Sequence, residues 1–386
     1  MSAASEYLEA LQKNCYSNLG LVPKTSTQLI EEFRKADFSH ILNKTGLFNK
    51  DVTAQKEFIR ELETLSLPTD FEDPLVYSIL NNHSASIEQS ISEFKLTLPF
   101  RPIIGTLPSG RVNAMAIALP TGSDFLVVFE RCVLVFAGSL CRIAASMFPQ
   151  NGCDEHGRQQ YRVPKNPEEV DNLLSENPSA QKDFEDLLFS YLFNGDVSFS
   201  SYVIPETATI PLKHLWVQSM ELFIMGHEYA HIVLGHLSAG LRTRTHVAGQ
   251  TVEEITPEWD QEIEADCLGI QLMLAAMRRN RIQPVLSFQG AELFFDAIEV
   301  VERGVALLAC GDENRHMFTT HPPSSERRSI VRQLLEPCLG NDSAKAGCQI
   351  AEILQAIINR LWVRAKPILL SLHDDKGYQL APIWRQ

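Results

Sequence analysis

The sequence predicts an α+β protein, mainly α-helical, with one small antiparallel sheet or hairpin. Three observations carry this. Apolar residues recur at helical spacing through most of the second half, amphipathic stretches fill the first 98 residues, and only 100–129 alternates as strands do.

In chain order, residues 1–98 read as polar amphipathic helices: Phe58, Leu62 and Leu65 recur turn by turn, and Pro23, Pro68 and Pro74 punctuate the region. Segments 112–119 and 125–129, joined by Pro120-Thr121-Gly122-Ser123-Asp124, read as the hairpin. A helix is expected over 131–147. Residues 150–211 are polar and rich in Asn, Asp, Gly and Pro, with one helix near 180–193, and read as an insertion or lid. Helices are then expected at 214–237, 257–279, 290–309, 325–335 and 344–371, the second started by a Thr256 cap and Pro257. The expected division is a helical region 1–98, a central domain 99–338 holding the insertion, and a helical extension 339–386.

Charge excludes several classes of function. The 34 Lys and Arg face 48 Asp and Glu, a net charge of −14, with no basic block to meet a phosphate backbone, so nucleic acid is not an expected partner. Glu130 and Arg131 interrupt one apolar run, and Glu221, His227, Glu228 and His231 interrupt another, so no membrane span is expected. Glu6 and Glu9 break what a secretory signal would need, which makes the cytoplasm the expected location. Eight scattered cysteines without a CxxC pair support neither a disulfide framework nor a cysteine metal site. No GxGxxG, Walker loop or GxSxG is present.

One constellation carries chemistry. His227-Glu228-Tyr229-Ala230-His231 is an HExxH inside an apolar helical pattern. Residues four apart stack on one helix face, so both imidazoles can meet one zinc ion, with Glu228 beside them to take a proton from an activated water. A third ligand is needed. The position six after His231 is Leu237, and His236 falls one short, so a third histidine in that register fails. On the helix after Pro257, Glu262 and Asp266 are again four apart. That spacing suggests Glu262 as the third ligand and Asp266 as the carboxylate that accepts the other ring N–H of a ligating histidine, His227 first. Glu253, Glu254 and Glu258 stay open as alternatives to Glu262, and Glu264 falls on another face.

With HExxH followed by ExxAD, the chain resembles the gluzincin metallopeptidases, within them the CAAX prenyl proteases and the HtpX heat-shock protease. The resemblance runs in islands over 102–335. It implies a zincin-like core with one Zn2+ per chain. The 112–116 strand, with Asn113, is similar to that group's segment for pairing with an extended peptide. Thr320-His321-Pro322-Pro323 followed by Arg327 is similar to its HPxxxxR element, which implies that His321 and Arg327 stabilise an oxyanion; Arg328, one residue late, reads as a solvent or rim charge. His246 and His316 stay open as replacements for His321. The chain departs from the group in lacking its membrane anchor. A weaker likeness, to the soluble phage-exclusion peptidase Lit, rests on the HE-aromatic-x-H-I setting.

The expectation is therefore a soluble zinc-dependent endopeptidase acting on protein or peptide, in the manner of a regulated bacterial stress or defence protease. Residues 1–98 or 150–211 are expected to cover the cleft until a partner displaces them. The alternative is a zinc-containing regulatory or binding module with little proteolysis.

Overall fold

The computed structural model describes the chain outside positions 1, 36–51, 111, 120–123, 156–158, 198–199, 201–206, 240, 248–249, 257, 317–320, 376–377 and 385–386. It is mainly helical with small sheets. Among the described residues, helices α1 (Ala3–Asn18), α2 (Ser26–Lys35), α3 (Val52–Glu63) and α4 (Pro74–Glu93) precede strands β1 (Ile103–Leu107), β2 (Ala114–Ala118) and β3 (Phe125–Glu130). Then come α5 (Cys132–Ala145), the short pair β4 (Gln150–Cys153) and β5 (Gln159–Tyr161), α6 (Pro167–Glu176) and α7 (Pro178–Asn194). Next are α8 (Ile210–Val233), the single turn α9 (His236–Ala239), and a hairpin of β6 (Leu241–Val247) and β7 (Gln250–Thr256). The remainder is α10 (Trp259–Arg279), α11 (Pro284–Cys310), α12 (Ser324–Gln333), α13 (Leu335–Leu339) and α14 (Asn341–Asp375).

The first sheet has the order β1-β3-β2. β2 pairs with β3 antiparallel, as the hairpin reading expects, and the turn expected at 120–123 lies outside the described residues. β1 adds a parallel partner on the other side of β3, so the sheet is mixed rather than purely antiparallel. Both faces are covered, which explains the unbroken apolar run of β3. Leu126 and Val128 face α1 through Leu8, Leu11 and Cys15, whereas Val127 and Phe129 join the main core.

That core is continuous from α4 (Leu80, Ile87, Ile91) through α7 (Phe184, Leu187, Leu188) to α14 (Leu354, Leu361, Trp362). Segments from 1–98, 150–211 and 339–386 thus all pack their apolar faces into it. The polar stretch 150–211 carries one helix more than expected, α6, begun by Pro167 with Asn166 accepting from the Glu169 N–H.

At the centre lies α8, and two glycine contacts set how closely its neighbours approach. A Cβ on Gly269 of α10 would stand 2.9 Å from the backbone nitrogen of His227, and one on Gly226 would stand 2.9 Å from the Gly269 carbonyl. On the other side, a Cβ on Gly290 of α11 would stand 2.4 Å from the Met220 nitrogen. Only helices without side chains at these points can cross backbone to backbone. α4 closes a third side: Tyr229 shares a 2.6 Å hydrogen bond with Ser84 and donates to Glu88 at 2.9 Å. Among the described residues, no helix is long and apolar enough to cross a membrane.

Candidate metal centre

The close crossing of α8 and α10 brings the two i, i+4 pairs face to face. His227, Glu228 and His231 project from α8, Glu262 and Asp266 from α10, and all five are at least nine-tenths buried. The start of α10 differs from the expectation. Its cap is Glu258, not Thr256, with Glu258 and Gln261 bonding each other's backbone N–H in a capping box, and Pro257 lies outside the described residues. The register of Glu262 and Asp266 is unaffected.

His227 Nε2 and His231 Nε2 lie 3.1 Å apart, with Glu262 Oε2 3.4 Å from the first and Glu262 Oε1 3.5 Å from the second. Three donors bound tetrahedrally at about 2.0–2.1 Å would stand about 3.3 Å from one another. Among the described residues, this is the one group of His, Cys, Asp and Glu whose donor atoms gather within 4.8 Å. Glu262 Oε2 is buried and accepts no hydrogen bond, although His227 Nε2 at 3.4 Å and His321 Nε2 at 3.3 Å are close by and the Arg327 guanidinium stands 3.9 Å away. A buried carboxylate oxygen in that state is costly unless a cation meets it. The residues fit a divalent ion, with one corner of the tetrahedron left over.

Behind the donors, Asp266 Oδ1 lies 2.9 Å from His227 Nδ1. Arg327 holds Asp266 through Nε at 2.6 Å and Nη2 at 2.7 Å, with its guanidinium 5.4 Å above the Phe295 ring centre. Burial alone would raise the Asp266 carboxyl, but Arg327 beside it and the His227 ring keep it below the usual carboxylate range. Burial would likewise raise Glu262, and His227 and His321 hold it well below. Burial disfavours a charged His227, yet the Asp266 and Glu262 carboxylates beside it outweigh it and push the imidazole up to about 10. His231, buried and next to that charge, is pushed down to about 3.

His321 stands at the rim, 46% exposed, with Nε2 beside Glu262. Arg327 faces inward instead: it is 4% exposed and two of its nitrogens are engaged by Asp266, so the donor pair implied by the resemblance is split between rim and interior. Arg328, read as a solvent or rim charge, is buried against Asp296 at 2.7 Å and Glu299 at 3.1 Å, because the next face of α12 meets the acidic side of α11. Asn113 is exposed just before β2, an outer strand of its sheet, and its carbonyl accepts from Glu130 N–H at 3.0 Å. His316 is paired with Glu302, and nothing is described of the His246 side chain. His236, one residue short of the ligand register and so set aside as a ligand, meets His231 Nδ1 at 3.0 Å. Its signal was the glycine before it, which turns the chain back at the end of α8.

Comparison of the chain with family models, with curated proteins and with solved structures gives no match. The functional reading rests on the centre itself.

Proposed function

We propose that the protein is a zinc-dependent endopeptidase with a zincin-like active site, in which His227, His231 and Glu262 hold the ion. The observation that carries the reading is the orphaned Glu262 Oε2 in a triangle of two imidazoles and one carboxylate spaced for tetrahedral coordination. Two nitrogen donors and one oxygen favour zinc over magnesium or calcium, which prefer more oxygen ligands.

Zinc held by these three residues would supply a Lewis acid and would lower the pKa of the attacking water toward neutrality. Glu228, next to His227 in sequence, three residues before His231 and itself buried, takes the proton from the attacking water and returns it to the leaving amine. His321, at the rim, donates a hydrogen bond to the oxyanion as the carbonyl is attacked. Arg327 holds Asp266, and Asp266 holds His227 in the tautomer whose Nε2 lone pair is available. An extended peptide adds alongside β2, whose side away from β3 pairs with no strand of that sheet, and passes Asn113.

The test is cleavage of unfolded casein by the purified chain. Activity lost with 1,10-phenanthroline, restored by zinc and absent from Glu228→Gln supports the reading. Stoichiometric zinc with no cleavage of casein or of a cellular protein extract would make the centre a structural or regulatory site instead.

A further inference from the structure

The second nitrogen of His231 does not face a carboxylate. It faces His236, Nδ1 to Nδ1 at 3.0 Å, and His236 Nε2 lies 3.1 Å from Glu264 Oε2. The two rings stand edge to face, 5.2 Å between centres. Both histidines are 4% exposed, whereas the Glu264 side chain is 63% exposed.

We infer that His236 is a positioning residue of the metal centre, fixing the tautomer and ring orientation of His231 as Asp266 does for His227. The inference rests on the metal reading above. A histidine that binds a cation through Nε2 keeps its lone pair there and its proton on Nδ1. His231 Nδ1 then needs an acceptor, and His236 Nδ1 stands where one is required. Accepting there leaves the His236 proton on Nε2, the nitrogen that faces Glu264. The result is a one-way chain from His231 to His236 to Glu264, each proton directed at the next acceptor. The reverse chain would put a proton on His231 Nε2, the atom 3.1 Å from His227 Nε2, and would block the centre.

The chain is built by the backbone. Helix α8 ends at Val233, and Gly235 takes φ +76°, the left-handed conformation that glycine adopts without strain. Its N–H donates to the Ile232 carbonyl at 3.2 Å, and the turn returns the His236 ring to the side of α8 that carries His231. The relay also solves an electrostatic difficulty. Glu228, Glu262 and Asp266 already place three carboxylates in the interior. A fourth carboxylate against His231 would have to be desolvated, and a neutral imidazole moves that charge out to the surface at Glu264.

The experiment uses the full chain as wild type, His236→Phe, His236→Asn and Glu264→Gln. It reads zinc affinity by competition with a chromophoric chelator, and ligand geometry from the visible absorption of the cobalt(II)-substituted protein. His236→Phe, which keeps a ring and removes the acceptor, is expected to weaken zinc binding about 10–100-fold and to shift the cobalt bands. His236→Asn, whose side-chain oxygen can sit where Nδ1 was, is expected to restore most of the affinity and the wild-type bands. Glu264→Gln, which keeps an acceptor and removes the charge, is expected to weaken zinc binding less than His236→Phe does. Wild-type affinity and spectrum in His236→Phe would overturn the inference, as would equal losses in the Phe and Asn variants, which would mark His236 as packing only. A wild type that binds no zinc removes the metal reading and this inference together, whereas zinc bound without proteolysis removes only the peptidase reading.

Discussion

Arg327 and Asp266 form a two-pronged ion pair, Nε to Oδ2 at 2.6 Å and Nη2 to Oδ1 at 2.7 Å, and the same Oδ1 lies 2.9 Å from His227 Nδ1. One carboxylate from α10 therefore links the His227 ring on α8 to the Arg327 guanidinium on α12. Arg327→Met would leave Asp266 as a buried charge lacking its cation, and a broken buried pair costs about 3–5 kcal/mol. The expected outcome in urea unfolding of the zinc-saturated protein is a loss of that order. The double variant Arg327→Met with Asp266→Asn is expected to recover a large part of it; losses that simply add would show that the two residues act independently.

Glu228 is the proposed proton carrier and not a ligand. Glu228→Gln is accordingly expected to keep one zinc per chain while casein cleavage falls by about 10²–10⁴-fold. Zinc content by mass spectrometry and initial cleavage rates read the two effects separately.

The centre depends on how closely α8 and α10 cross. A Cβ at Gly269 would sit 2.9 Å from the His227 nitrogen and 3.1 Å from its Cα, and backbone atoms cannot swing aside as a side-chain tip can. Gly269→Ala is expected to lower stability by about 1–3 kcal/mol and to weaken zinc binding with it. Gly347 in α14 is the contrast, since its added methyl would meet only Leu335 Cδ1 at 3.5 Å and Phe288 Cδ1 at 3.9 Å. There, Gly347→Ala is expected to stabilise by about 0.5–1 kcal/mol through better helix propensity. Thermal unfolding and zinc titration of both variants check this.

Glu72 provides a pH test away from the metal. It accepts from Gln12 Nε2 at 2.6 Å and from Thr106 N and Oγ1 at 3.1 and 2.6 Å, tying α1 to β1. Burial outweighs these bonds and pushes its carboxyl up to about 7, above its ordinary 4.5. A carboxyl with a raised folded-state pKa binds its proton more tightly folded than unfolded. Its stabilising effect is full below about 4.5 and is lost as pH rises toward 7. Glu72→Gln is expected to flatten the fall in stability over that window relative to wild type, measured by urea unfolding with saturating zinc. Identical slopes in the two proteins would contradict it.

What could be read from the sequence was what one helix decides alone. His227 with His231, and Glu262 with Asp266, are four residues apart, and helix geometry places each pair on one face wherever the helix goes. The hairpin of β2 and β3 was local in the same sense. The parallel partner β1 was not, because its pairing with β3 spans two connections and its five residues lie between Pro102 and Pro108. Gly226, Gly269 and Gly290 read as weak helix positions until their partners across the crossing are known. Arg327 and Arg328 are adjacent and equally basic; which of them meets Asp266 and which meets Asp296 depends on where α10 and α11 stand. His236 falls one residue short of the ligand register, and its place beside His231 follows from the turn at Gly235.

The most direct measurement is the metal content of the chain purified without added metal, determined by inductively coupled plasma mass spectrometry for wild type and Glu262→Ala side by side. About one zinc per wild-type chain, falling to a small fraction in the variant, is the expected result for a two-histidine, one-carboxylate centre. A wild type free of zinc, or a variant that retains as much zinc as wild type, would contradict it.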